Sequence, residues 1–294
     1  MSAPAVARRD PARVVHDVLE PYHAVLYYAP QVYEAFRGVG LSGTWRGYFG
    51  GRAAPLGAVT APVVTAAFYH FRPSLVAAAV PAVWETAAPE KVLAARLAGV
   101  DAALRAVLGD VVDGPELAEA ASLATDAAGA CTVPGRPLGG ANAALEPPTA
   151  AHLALWQAAT TLREFRGDGH VAALTHAGFD GVEALVSITA AGGEVRKDIQ
   201  ARRGWTDEEW AQGERRLRDR GLLDADGQLT LEGRVARNTV EELTDRFAAA
   251  PWNALGPAGT RRLHALLRPI GERVIDGLRL PLSVPTEPSD PFDS

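Results

Sequence analysis

Between Trp205 and Arg234 the sequence WTDEEWAQGERRLRDRGLLDADGQLTLEGR prescribes helix, stop, turn and helix in that order, and any fold for this chain has to accommodate that unit. Thr206 supplies an N-cap acceptor for the free amides of a helix start, and Glu209, three residues on, completes a capping box. Trp210, Leu217 and Leu222, eased by the small Gly213, fall near one apolar stripe, and Gly221 suits a left-handed cap that ends the helix. Leu222-Leu223 and Gln228-Leu229-Thr230 flank the turn Asp224-Ala225-Asp226-Gly227, which predicts a minimal two-stranded hairpin. Thr230 then caps a further helix from Leu231 to about Ala250, along which Val235, Val240, Leu243 and Phe247 recur at helical spacing.

This order resembles the winged helix-turn-helix domain of MarR-type transcriptional regulators, over residues 150 to 275 or so. It is also similar to an actinobacterial family described only as helix-turn-helix proteins. Together with the composition, in which Ala and Val dominate and aromatic residues make up only 7%, this implies a mainly α fold. The expected organisation is an N-terminal helical lobe (1–148) and a MarR-like winged-helix lobe with a small two-stranded wing and C-terminal helices (149–278). A Pro-rich acidic tail (279–294), extended or disordered, follows.

A net charge of −6 gives no global attraction to phosphate, so DNA binding would need a local basic face. The single cysteine, Cys131, rules out an internal disulfide and fits a reducing cytoplasm. Met1–Asp10 is a short polar start without the apolar core of a signal peptide. The charge-free stretch between Arg52 and Arg72 is interrupted by Pro55, Gly57 and Pro62, which argues for a buried helix and against a membrane span.

Breaks along the chain predict one long helical run from Pro11 to about Gly38, kinked near Pro21 and Pro30. Further helices are predicted over 56–69, 74–85, 90–108, 114–130 and 150–177. Residues 34–43 parallel 172–181, each a helix end followed by Gly, an apolar residue, Ser or Asp, and Gly. Internal duplication and ordinary helix punctuation both account for that likeness.

Two polar clusters stand out. On a helix, Arg163, Arg166 and His170 share a face, with Glu164 and Asp168 on a neighbouring one. Two guanidinium forks could orient an anion while His170 serves as acid or base; an ion-pair network between lobes is the plainer reading. The second cluster runs from Trp45 to Gly57: Gly50-Gly51 predicts a tight loop, with Arg52 just ahead of a helix start, either a packing turn or an anion site. No Walker loop, dinucleotide fingerprint, Gly-x-Ser-x-Gly elbow or His-x-x-x-His pair is present, so no metal or cofactor is predicted. A haem held by one histidine is compatible with so small-residue-rich a lobe, although Cys-x-x-Cys-His is absent.

In a helix-turn-helix the first residues of the second helix meet base edges, and here they are Asp207, Glu208 and Glu209. Three acids would oppose the phosphate field, and the turn 224–227 offers no cation. The leading expectation is therefore a small-molecule-binding protein or enzyme on a repurposed winged helix. Its inter-lobe pocket would take an anionic or polar-aromatic ligand, with Tyr48, Arg52, His70, Arg163, Arg166, Asp168 and His170 converging on it. The alternative is a ligand-responsive regulator that binds DNA as a homodimer through Arg196, Lys197, Arg202 and Arg203.

Overall fold

The computed structural model describes residues 10–285 and Phe292. Among them the chain forms α1 (Pro11–Tyr28), α2 (Pro30–Gly38), α3 (Thr44–Ala53), α4 (Ala61–Phe68), α5 (Pro73–Ala77), α6 (Val80–Thr86), α7 (Pro89–Leu108) and α8 (Pro115–Gly129). It continues through α9 (Pro137–Ala143), α10 (Ala151–His176), α11 (Gly181–Ala190), α12 (Arg196–Arg203), α13 (Asp207–Asp219), α14 (Leu231–Phe247) and α15 (Ala250–Leu278). Residues 1–9, where a signal peptide would begin, and most of the proposed tail (286–291, 293 and 294) lie outside the described residues.

Proline and glycine set most of the boundaries. α1 runs through Pro21 unbroken, and the long predicted run divides only at Ala29, held extended (ψ 127°) ahead of Pro30. The charge-free stretch is cut into the end of α3, a 3-10 turn at Ala54–Leu56 and α4; no single described helix is long and apolar enough to cross a membrane. Gly50 and Gly51 do not form the expected loop. They lie inside α3, where a Cβ on Gly51 would meet Phe36 at 2.5 Å and one on Gly50 would meet Val83 at 2.9 Å, so close helix packing is what they serve.

Among the described residues three apolar cores result. The largest joins α1, α2, α7, α8 and α15 around Leu155 and Trp156 of α10. A second gathers α3 to α6 around Phe49, Phe68 and Phe71. The third packs Ala173 and Leu174, at the far end of α10, with α11, Trp210 and Leu217 of α13, and Val240 of α14. Thus α10 threads from one core into another.

The capping boxes at Asp180–Glu183 and Thr206–Glu209 form, and Gly221 takes the left-handed conformation. The two-stranded wing does not: no strand occurs among the described residues, and the hairpin shrinks to one antiparallel bridge between Leu223 and Leu229. The helix ends on either side explain this: Gly221 stops α13 in the left-handed conformation and Thr230 already caps α14, while the Asp224 carboxylate accepts from the amides of Asp226 and Gln228 and closes the turn between them. Val235 also departs from expectation, standing 56% exposed while Arg237 turns inward. The likeness of 34–43 to 172–181 reduces to one helix stop, Leu41 N–H to Phe36 O and Phe179 N–H to Leu174 O around a left-handed glycine. The same stop closes α12 and α13, through Trp205 N–H to Gln200 O and Leu222 N–H to Leu217 O, so helix punctuation suffices to explain the repeat.

Candidate functional site

α10 carries polar groups on two of its faces where it passes between the cores. On one, Glu164 is fully buried and takes both forks of Arg52, Nε at 2.7 Å and Nη2 at 2.8 Å, and Nη1 of Arg163 at 3.0 Å. Burial alone would raise this carboxyl; the Arg52 and Arg163 guanidiniums overcome it and hold the group well below the usual carboxylate range. Arg52 also lies over Phe68, 4.2 Å from the ring centre, and 3.5 Å from the Tyr48 hydroxyl. Its donors are therefore spent on tying α3 to α10.

On another face, Arg163, Arg166, Gly167 and His170 form one wall of a cleft of about 350 Å³. α1 supplies Arg13, His16 and Asp17 opposite, and α14 supplies Arg237, Glu241 and Thr244. Arg166 is clamped by Nη2 to Asp245 at 2.7 Å, and Arg13 reaches the same carboxylate at 2.7 Å. Nη1 of Arg166 is buried and donates to nothing. Four arginines line the walls beside two acids, Asp17 and Glu241; Glu241 pairs with Arg237 and lies 3.6 Å from Arg13, while Asp245 takes Arg13 and Arg166, and Glu164 and Glu20 take Arg163.

The histidines here are neutral bases. Thr244 donates its hydroxyl to Val240 O at 2.7 Å, so it can only accept from His170, whose Nδ1 is 2.9 Å away. That assignment leaves the lone pair of His170 on Nε2. Burial, reinforced by Arg237, Arg166 and Arg163, lowers its pKa to about 3. His16 is lowered for the same reasons, burial first and then Arg166 and Arg163. What the cleft offers is a fixed set of cationic donors around neutral nitrogen acceptors.

Of the residues singled out in the sequence, Arg163, Arg166 and His170 share this cleft. His70 stacks behind His170 without lining it. Tyr48 and Arg52 sit beyond Glu164, and Asp168 accepts from the Gly139 amide at 2.8 Å near the start of α9. Sequence reasoning missed the opposite walls. Their signal was nonetheless present: Arg13, His16 and Asp17, and Arg237, Glu241 and Thr244, are polar sets at helical spacing that share a face. Among the described residues no three His, Cys, Asp or Glu side chains are grouped to hold a metal ion.

The residues considered for DNA contact are mostly occupied. Arg196 pairs with Glu214 at 3.2 Å and lies over Trp210, Arg202 pairs with Glu194 at 3.0 Å, and Arg203 packs on Phe71; Lys197 alone stands exposed without such a contact. The exposed residues of α13 are Asp207, Glu208, Gln212, Arg215, Arg216 and Asp219, three acids against two arginines, of which Arg216 is paired with Asp180 and Glu183. Glu209 is taken up by its capping box and by Nε of Arg72 at 2.9 Å. The segment 69–72 thus grips the turn of this unit: Trp205 Nε1 donates to His70 O at 2.9 Å, and the Arg72 amide to Arg203 O at 3.0 Å.

Comparison with curated proteins and with solved structures gave no match. The helix-turn-helix family, by contrast, matches residues 12–281, from the first turn of α1 to just past α15. With α12, the Gly204–Thr206 turn and α13 in the arrangement that gives such folds their name, this chain belongs to the helix-turn-helix family, whose fold is of the DNA-binding type.

Proposed function

We propose that this protein binds a small anionic molecule in the cleft between α1, α10 and α14, on a MarR-like scaffold whose α13 has ceased to read DNA. The division into lobes near residue 148 and a cytoplasmic setting belong to the same reading. The observation that carries it is Arg166, which lines the cleft: one nitrogen is anchored on Asp245, and the other is buried without an acceptor. A buried donor without a partner costs about 1–3 kcal/mol, and an incoming carboxylate or phosphate oxygen would recover that. His170 Nε2 would accept from a hydroxyl on the same molecule, which favours hydroxylated acids over anions without a donor. Titration calorimetry with salicylate, citrate and phosphate tests the reading. Expected is one-to-one binding of at least one anion, weakened tenfold or more by Arg166→Gln and unchanged by Arg215→Gln. Absence of binding by all three, or indifference to Arg166→Gln, would sink it.

The family to which the chain belongs favours a second reading, a ligand-responsive regulator that binds DNA as a dimer. That reading requires a mobility shift of duplex DNA that weakens steeply with salt.

A further inference from the structure

A separate cavity of about 290 Å³ lies between α8, α9, α10 and the connection after α9, and it shares no lining residue with the arginine cleft. At roughly 30 Å³ per molecule it would hold about ten waters. The space exists because the helices present small residues to it, among them Ala128 and Gly129 from α8 and Ala154 and Ala158 from α10. Among the described residues no charged side chain lines it.

One residue that lines it, Asn142, carries a buried and unsatisfied polar atom. Asn142 is 1% exposed, and its Nδ2 donates to Leu138 O at 2.9 Å, which fixes which end of the amide is which. The main-chain oxygen of Asn142 accepts from Gln157 Nε2 at 2.9 Å, and Thr161 donates to Gln157 O at 3.0 Å, so these neighbours are engaged with one another. Asn142 Oδ1 accepts from nothing. An uncharged, mostly apolar cavity with an orphaned acceptor on one lining residue has the composition of a small-molecule site, in which apolar walls supply burial and a fixed polar atom supplies orientation. The absence of charge on the walls selects against the anions that suit the arginine cleft.

We propose that this cavity binds a neutral, largely apolar small molecule that donates an N–H or O–H to Asn142 Oδ1. The chain carries its own reporter, because Cys131, its single cysteine, lines the cavity. Alkylation of Cys131 by N-ethylmaleimide in the full-length protein, followed by mass spectrometry, reads occupancy without any substitution. Two pairs of probes isolate the hydrogen bond: indole against 1-methylindole, and phenol against anisole. Indole or phenol should slow alkylation saturably, with an apparent Kd at least tenfold below that of its methylated twin. Ala154→Leu, which fills the cavity from α10, should abolish this protection while keeping the melting temperature, and Arg166→Gln should leave it unchanged. If the methylated probes protect as well as the donors, Asn142 Oδ1 plays no part and the proposal falls. It falls equally if no probe slows alkylation, which would make the cavity a pocket for water only.

Discussion

The imidazoles of His70 and His170 stack with ring centres 5.8 Å apart and planes 19° from parallel, although one comes from the segment after α4 and the other from α10. Such a contact is opposed by charge on both rings and is undisturbed while both are neutral. Burial keeps them so, assisted at His70 by His170 and Arg203, and at His170 by Arg237 and Arg166.

Acid should therefore loosen this junction. Both folded-state pKa values lie below the unfolded value of 6.5, and that of His170 falls to about 3. In between, the unfolded chain binds protons that the folded chain refuses. The stability from each neutral ring is complete above about pH 6.5 and is lost as the pH falls, by at most about 1.4 kcal/mol per pH unit per histidine. Asp168, which burial raises to about 6, acts in the opposite sense, so the readout is a difference between proteins. Denaturation midpoints measured from pH 8 to pH 5 should fall less steeply for His170→Gln than for the natural sequence. Equal slopes would contradict this.

Glu164→Gln should be among the most damaging single changes. It leaves Arg52, which is buried, without a carboxylate and strips Arg163 of its closest one, and breaking a buried pair from one side costs about 3–5 kcal/mol. Urea unfolding checks the magnitude. The milder Arg163→Gln, on a residue that also reaches Glu20 at 3.6 Å, should cost less than half as much.

Gly181→Ala tests the grip of the 69–72 segment on the helix-turn-helix unit. A Cβ there would lie 2.3 Å from the Tyr69 carbonyl oxygen, and Tyr69 already holds a positive φ of 48° while its hydroxyl donates to Phe179 O. The expected loss is about 1–3 kcal/mol of stability. It should come with faster amide exchange at Trp205 and Arg72, and protection as slow as in the natural protein would show that the segment can shift without cost.

Duplex affinity should be limited by the acids of α13. Glu208→Lys combined with Asp219→Lys reverses the sign of its outer face without touching a buried residue, and should create salt-sensitive duplex binding at least tenfold tighter than that of the natural sequence. Fluorescence anisotropy at 50 and 200 mM salt measures it. Unchanged affinity would place any DNA contact elsewhere on the protein.

Local chemistry made much of this legible in advance. The capping box at Thr206 and Glu209, the stop at Gly221 and the shared face of Arg163, Arg166 and His170 each depend on residues within a few positions of one another, and each formed. The wing is reduced to one bridge because the stop of α13 at Gly221 and the cap of α14 at Thr230 leave only a few residues on either side of the Asp-Gly turn. Gly50 and Gly51 were misread because a glycine pair signals a loop unless distant side chains, here Val83 for Gly50 and Phe36 for Gly51, need the space.

The sequence by itself determined the helices, their caps and which polar residues share a face, since those follow from backbone periodicity and near-neighbour hydrogen bonds. Only the tertiary structure decided which arginines are committed and which are available. Arg52 and Arg166 look alike in one dimension, yet Arg52 spends its fork on Glu164, while Arg166 keeps one nitrogen unpaired beside a cleft whose other walls come from α1 and α14. The physical reason is that a buried charge takes its character from the partners that packing brings within about 4 Å, and those lie 112 residues away for Arg52 and 79 for Arg166.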